Sequence, residues 1–218
     1  MITQAIQDYL KTIYKVEETG EEVTTNAIAE RLQVTQPSVT GMVKKLSEIN
    51  LISYTPYQGV CLTEAGRKIA LEVIRHHRLL ELYLAKAMGY SWDRVHEEAE
   101  KLEHVISEEF EEKMAEMLGQ PTSDPHGAPI PSKDGFIEQR SLMALSSVAI
   151  GQTVLVRQVS DKDPEKLRYL AGIGIYPEVE IAVVEQAPFE GPLLIKVGDG
   201  QYYLSRALTD SIFVAEIF

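Results

Sequence analysis

TTNAIAERLQVTQPSVTGMVKKL, residues 24–46, decides how the rest of the chain is read. Thr24 or Thr25 offers an N-cap oxygen, and Ile28, Ala29 and Leu32 recur at helical spacing, which predicts a short helix of about eight residues. Thr35 or Gln36 is the next N-cap candidate, Pro37 suits a first helical position, and Val39, Met42, Val43 and Leu46 make an inner face. Two short helices joined by about four residues form a helix-turn-helix pattern. In front of it, QAIQDYLKTIYKVEE (4–18) puts Ile6, Leu10, Ile13 and Tyr14 on one face, with Gly20 as a stop. Behind it, LISYT and VCLTE read as strands separated by PYQG (56–59), which has hairpin-turn chemistry, so the unit is winged.

Further along, Thr63 caps a long helix, EAGRKIALEVIRHHRLLELYLAKAM, closed by Gly89, and Ser91 caps the helix that holds VHEEAEKLEHV (95–105). At about 100° per residue His96, Glu100, Glu103 and His104 fall at roughly 0°, 40°, −20° and 80°, one stripe at the edge of an apolar arc of Val95, Ala99, Leu102 and Ile106. Ser107 is a point at which that helix can break in two. Pro121, Pro125, Pro129 and Pro131, with Gly127 and Gly135, punctuate residues 119–147 as a boundary. Beyond it TVLVRQVS, VEIAVVEQ, PLLIKVG, QYYLS and SIFVAEIF are short β-rich runs that predict a small barrel. GIGIYP is too short and too far from a following helix to be a dinucleotide loop.

At 218 residues, 44% hydrophobic and 25% charged, the composition is that of an ordinary globular protein. No basic segment followed by an unbroken apolar run opens the chain, and nothing approaches the roughly eighteen apolar residues of a span, so a cytoplasmic protein without a membrane partner is expected. The lone Cys61 excludes an intrachain disulfide and fits a reducing compartment. A net charge of −12 argues at first against nucleic acid. Its distribution changes that inference: residues 1–75 hold eight Lys/Arg against nine Asp/Glu (−1), residues 76–135 six against thirteen (−7), and residues 136–218 seven against eleven (−4). Cations bound in the acidic middle would remove much of its repulsion toward a polyanion.

Two constellations carry chemistry. At the start of the second short helix, Thr35, Gln36, Pro37, Ser38, Thr40 and Gly41 are small or polar, as a helix entering a major groove requires. Gln36 suits adenine, Ser38 and Thr40 suit bases or phosphate, and Lys44 and Lys45 suit phosphates. The plain alternative is a three-helix cluster that touches no nucleic acid. The second constellation is the histidines. His77, His96, His104 and His126 each have a carboxylate within four residues, and His77 and Glu81 stand at i, i+4; only His76 is left out. Asp124 and His126 add donors in DPHG. Oxygen-rich shells with imidazole favour manganese or ferrous iron over copper or zinc. The plain alternative here is a solvated acidic helix with incidental histidines.

The run IRHHRLLE…VHEEAEKLEHVISEE…DPHGAPIP, preceded by DYLKTIY and the winged helix-turn-helix, resembles the diphtheria toxin repressor family of metal-dependent repressors, in particular its manganese-responsive three-domain members. The resemblance covers essentially the whole chain. It implies a mainly α fold with a small β domain: a winged helix-turn-helix DNA-binding domain (1–74), a helical metal-binding and dimerisation domain (75–140) and an SH3-like domain of the FeoA type (148–218). It implies a primary site of Asp8, Glu100, Glu103 and His104, and a secondary site of His77, Glu81 and His96, or a variant with Asp124 and His126, closed by Asp161 or Asp163. Iron-responsive members carry Met and Cys where this chain has Asp8 and Glu100, a change to hard oxygens that favours Mn2+, with Fe2+ second. Two-domain manganese members carry Glu where this chain has Lys11, so two separate single-metal sites are expected. The implied partners are palindromic operator DNA and a second copy of the chain, joined through residues 65–118 with Trp92, Val95, Phe110 and Met114 as apolar area. The competing functions are a metal buffer and a metal-dependent hydrolase. HEEAE lacks the second histidine of HExxH, which argues against the latter, and no enzyme is expected.

Overall fold

The computed structural model describes residues 2–55 and 59–217. Two compact units divide the chain: residues 1–77, 103–106 and 131–136 form the first, and residues 78–102, 107–130 and 137–218 the second.

In the first unit, α1 (Gln4–Glu17), α2 (Thr25–Leu32) and α3 (Gln36–Glu48) precede a two-stranded ribbon, β1 (Ile52–Thr55) and β2 (Gly59–Leu62). α1 packs on α2 and β2, and α3 on α2 and β1. Ile6, Leu10, Ile13, Ile28, Val39, Val43 and Leu46 are buried, so the inner faces read from the periodicity do close a core. Thr24 caps α2 by accepting from the Ala27 N–H, and Gln33 ends it at φ 54°. Thr35 precedes α3, in which Pro37 takes the second position rather than the first; either is tolerated, because neither N–H has an intrahelical acceptor. The ribbon pairs Ile52 with Leu62 and Thr55 with Gly59. The expected turn falls on Pro56, Tyr57 and Gln58, which lie outside the described residues.

Thr63 caps α4 (Glu64–Met88) through the Gly66 N–H at 3.1 Å. In the second unit lie α5 (Val95–Leu102) and α6 (Glu108–Met117), with Ser107 capping α6 through the Phe110 N–H. Two corrections follow. α5 begins at Val95, so Ser91 is not its cap, and it stops at Leu102. Glu103 and His104 therefore leave the stripe that ideal helical geometry drew through His96 and Glu100. The apolar residues nominated for a dimer surface are also largely consumed inside the chain: Val95 is 0% and Met114 2% exposed, and Trp92 packs against the C-terminal core. Only Phe110 of the four is exposed.

The C-terminal part of this unit is a six-stranded antiparallel sheet in the order β3-β8-β4-β5-β6-β7, with β3 Met143–Ala144, β4 Thr153–Val159, β5 Glu180–Gln186, β6 Leu193–Val197, β7 Gly200–Leu204 and β8 Ile212–Glu216. Register shifts at Val156/Gln158 and Val183/Glu185 mark bulges, which bend a small sheet around its core. α7 (Pro164–Gly172) and the short α8 (Arg206–Thr209) accompany it, and Val154, Val156, Leu167, Leu170, Ile181 and Val214 are buried within. The β-rich pattern of this part of the sequence does not single out the two-residue β3, α7 or the short α8. Asp163 followed by Pro164 and Glu165 was a legible start for α7. Among the described residues no helix is long and apolar enough to cross a membrane.

Candidate metal clusters and nucleic-acid interface

In the first unit, α1 supplies Gln7, Asp8 and Lys11, and the turn after α5 supplies Glu103 and His104. His104 Nε2 lies 2.8 Å from Asp8 Oδ1 and 3.2 Å from Glu103 Oε1. On the other side of the ring Nδ1 is 2.8 Å from Gln7 Oε1. Since a carbonyl only accepts, Nδ1 donates there, which leaves Nε2 as the ring atom that can either donate to the two carboxylates or turn a lone pair to a cation shared with them. Three electron-rich groups converging on one point repel unless a cation or a proton stands among them. The donor atoms of Asp8, Glu103 and His104 all lie within 4.8 Å of one another, which a hard divalent cation fits.

Behind this cluster Glu103 is 0% exposed and takes a bidentate contact from Lys11 Nζ at 2.6 and 2.8 Å and one from His77 Nδ1 at 2.5 Å. His76, the histidine left out of the ligand sets, turns Nδ1 to the Glu103 main-chain oxygen at 3.0 Å. Glu100 belongs to the second unit, with His96 Nε2 at 3.7 Å from its carboxylate.

The second unit gathers Glu81 on α4, His96 on α5, Asp124 and His126 in DPHG, and Asp161 beyond β4. His96 Nδ1 lies 3.1 Å from Glu81 Oε1 and 3.4 Å from Asp161 Oδ2. His126 Nε2–H donates to the Trp92 main-chain oxygen at 2.7 Å, so the tautomer is again fixed by a carbonyl. Its Nδ1 is buried, makes no hydrogen bond, and faces Glu81 Oε2 at 3.7 Å. Asp124 Oδ1 accepts from the His126 and Ala128 N–H groups at 2.8 and 3.0 Å, which holds the loop shut around the carboxylate. Glu81, Asp124 and His126 are all buried and share the close donor spacing of the first cluster.

The electrostatics agree with a site short of positive charge. Burial, with the charge of Glu81 adding to it, raises Asp124 to about 7. Burial pushes His126 down, but the negative charge of Glu81, with that of Asp124, outweighs it and the net result is up to about 9.

The C-terminal sheet is built into this second cluster. The Val159 N–H donates to the His126 oxygen at 2.8 Å, and Asp161 follows two residues on. Gly127, at φ +90°, lies so close to β4 that a Cβ there would stand 2.0 Å from the Arg157 oxygen. Asp163, the alternative to Asp161, instead caps α7 by accepting from the Glu165 and Lys166 N–H groups. Trp92, missed as a site residue because its role runs through its main-chain oxygen and its stacking, has its ring 5.6 Å from that of His126 and 4.8 Å from that of Tyr176.

The expected DNA-reading residues lie together along α3. Thr35, Gln36, Pro37, Ser38, Lys44 and Lys45 are exposed and Thr40 is half-buried. The Thr35 and Ser38 hydroxyls share a hydrogen bond at 2.9 Å, and Thr40 Oγ1 is tied back to the Gln36 oxygen at 3.0 Å, so of the three hydroxyls Thr40 is turned furthest inward. Gln36 Nε2 donates to Asn26 Oδ1 on α2 at 2.6 Å. One Gln36 N–H and its carbonyl are left for the bidentate pattern that adenine presents. Asn26 carried no signal in the sequence, since only the packing of α2 on α3 brings it alongside.

The comparisons with known proteins agree along the chain. The family described as "Iron dependent repressor, N-terminal DNA binding domain" matches residues 1–60, "Iron dependent repressor, metal binding and dimerisation domain" matches residues 63–132, and "FeoA domain" matches residues 143–216. The iron-dependent repressor IdeR of Mycobacterium tuberculosis (strain ATCC 25618 / H37Rv) is 31% identical over 224 residues, with 96% of each chain covered. The diphtheria toxin repressor of Corynebacterium efficiens is 32% identical over 188 residues, 82% of each. Among solved structures, a manganese-dependent transcriptional repressor in complex with manganese is 37% identical with a TM-score of 0.91, covering 97% of this chain and 99% of that one. The manganese regulator SloR is 31% identical with a TM-score of 0.78 over 99% and 100%. With relatives above 30% identity matched over 82–96% of both chains, this chain belongs to the iron-dependent repressor family, the family of the diphtheria toxin repressor.

Proposed function

We propose that this chain is a cytoplasmic transcriptional repressor that binds palindromic operator DNA as a homodimer when divalent cations, Mn2+ foremost and Fe2+ second, occupy two separate clusters: Asp8, Glu103 and His104 in the first unit, and Glu81, His96, Asp124, His126 and Asp161 in the second. One observation carries the reading. His104 Nε2, oriented by the Gln7 contact on the other ring nitrogen, converges with the carboxylates of Asp8 and Glu103, and Asp8 belongs to the first helix of the DNA-binding domain. A bound divalent cation supplies the positive charge that lets these donors share one point.

With that charge present, Asp8 is drawn to Glu103 and His104, and α1 is pinned to the turn that carries them. α1 packs on α2, and α2 on α3, so the placement of the reading helix follows from the placement of α1. Without it Lys11 still ties α1 to Glu103, but Asp8 loses the cation it would share with Glu103 and His104, and α1 is held less tightly. Reading a palindrome needs two such helices about 34–36 Å apart, and the cation shifts an existing equilibrium toward that spacing. The hard oxygens of Asp8 support manganese. Membership of a repressor family sets the hydrolase reading aside.

The test is DNA retardation across Mn2+, Fe2+ and Zn2+ titrations at fixed salt, with wild type and His104→Ala. Wild type should bind only with metal, and His104→Ala should lose that response while keeping its circular dichroism. Equal binding by demetallated wild type, or an undiminished metal response in the variant, overturns the reading.

A further inference from the structure

The geometry points to Gly41 as the point of closest approach between the reading helix and the double helix: an empty position that sets how deep α3 seats and which bases it accepts. This rests on the DNA-binding reading above and deepens it.

Gly41 stands in the middle of a 13-residue α-helix. Glycine in a helix interior is unfavourable relative to alanine, so an interior glycine asks for a reason. Among the described residues nothing supplies one. A Cβ built at Gly41 meets nothing within 4 Å, whereas at Gly66 it would meet the Leu51 oxygen at 1.9 Å. Nor does the backbone require it, because Gly41 is absent from the positive-φ glycines. Whatever excludes a side chain here lies outside the chain.

Its direction says where. The buried residues of α3 are Val39, Val43 and Leu46. At about 100° per residue Gly41 points roughly 200° from Val39, straight away from that stripe, with Pro37 at about 160°, Lys44 at about 140° and Lys45 at about 240°. The centre of the outward face is therefore bare backbone, flanked by two lysines suited to phosphates and by the exposed Ser38 one turn back. The position that would otherwise reach furthest into a groove leaves room for a base edge or a thymine methyl against the helix backbone.

The test uses the full chain with Mn2+ and duplexes enriched from a random-sequence pool by the wild-type protein. Gly41→Ala should raise the thermal midpoint by about 2–4 °C, as removing an exposed helical glycine does in a chain of this size. The same change should weaken binding to the enriched duplex by about tenfold or more, with an unchanged salt slope because no phosphate contact is lost. A pool re-selected with Gly41→Ala should shift its preference at one or two adjacent base pairs per half-site. The opposite signs on stability and binding separate this from a folding defect. Binding within twofold of wild type together with an unshifted pool overturns the inference. Failure of the wild-type protein to enrich any duplex overturns the DNA-binding reading, and this inference with it.

Discussion

Loading the second cluster with Mn2+ should expel protons, and the number follows from the groups that crowd Glu81. His126 is raised to about 9 and Asp124 to about 7, so both hold protons near neutrality that a metal ligand must give up. Affinity should therefore rise with pH near neutrality, by about tenfold per pH unit for each proton the metal displaces. The stability of the metal-free protein runs the opposite way. Both folded pKa values lie above their unfolded ones, so the stabilisation they give the metal-free protein is full at low pH. It is lost as pH rises, first through about 7 with Asp124 and then through about 9 with His126. The assay is titration calorimetry in buffers of different ionisation heat between pH 7 and 8.5. Asp8→Asn serves as background to weaken the first cluster, since Asp8 is half-exposed and its charge is not buried. His126→Gln should cut both the affinity and the proton release. Mn2+ binding with no proton release and no pH dependence over this interval would refute the reasoning.

Glu103→Ala should do more than remove a ligand, because it takes from Lys11, 6% exposed, a buried carboxylate held at 2.6 and 2.8 Å. A cost of about 3–5 kcal/mol in metal-free urea unfolding is expected, against a much smaller one for His104→Ala. Equal stability of the two variants would contradict it. Gly127→Ala forces a side chain into φ +90° and against the Arg157 oxygen. At least about 1–3 kcal/mol of destabilisation is expected from the backbone conformation alone, with faster hydrogen exchange at Val159; unchanged exchange there would show that the loop yields freely. Asn26→Ala should relax discrimination at the base pair read by Gln36, by less than the 1–3 kcal/mol expected for Gln36→Ala itself. Full discrimination in both variants would remove Gln36 from the base-reading surface.

The local features were open to reading along the chain because they follow from short-range chemistry. Thr24 ahead of an apolar period, Pro37 early in α3 and Thr63 ahead of α4 are caps and starts whose partners lie within four residues. The helix-turn-helix, the paired strands β1 and β2, and the exposed polar start of α3 follow from those signals and from periodicity. Residue types narrowed the metal chemistry too: histidines beside carboxylates, with hard oxygens at Asp8 and Glu100, indicate a divalent cation wherever they meet. Periodicity alone misled at one point. It carried a stripe through Glu103 and His104, whereas the helix stops at Leu102 and the turn sends both toward α1. Which candidate donors lie together was visible only in the tertiary structure, because Asp8 and His104, or Glu81 and Asp161, are gathered by packing between elements far apart in sequence. The same holds for the choice of Asp161 over Asp163, for Trp92 fixing the His126 tautomer and for Asn26 beside Gln36. A side chain's type is written in the sequence, but the direction of its lone pair is set by whatever accepts its other proton.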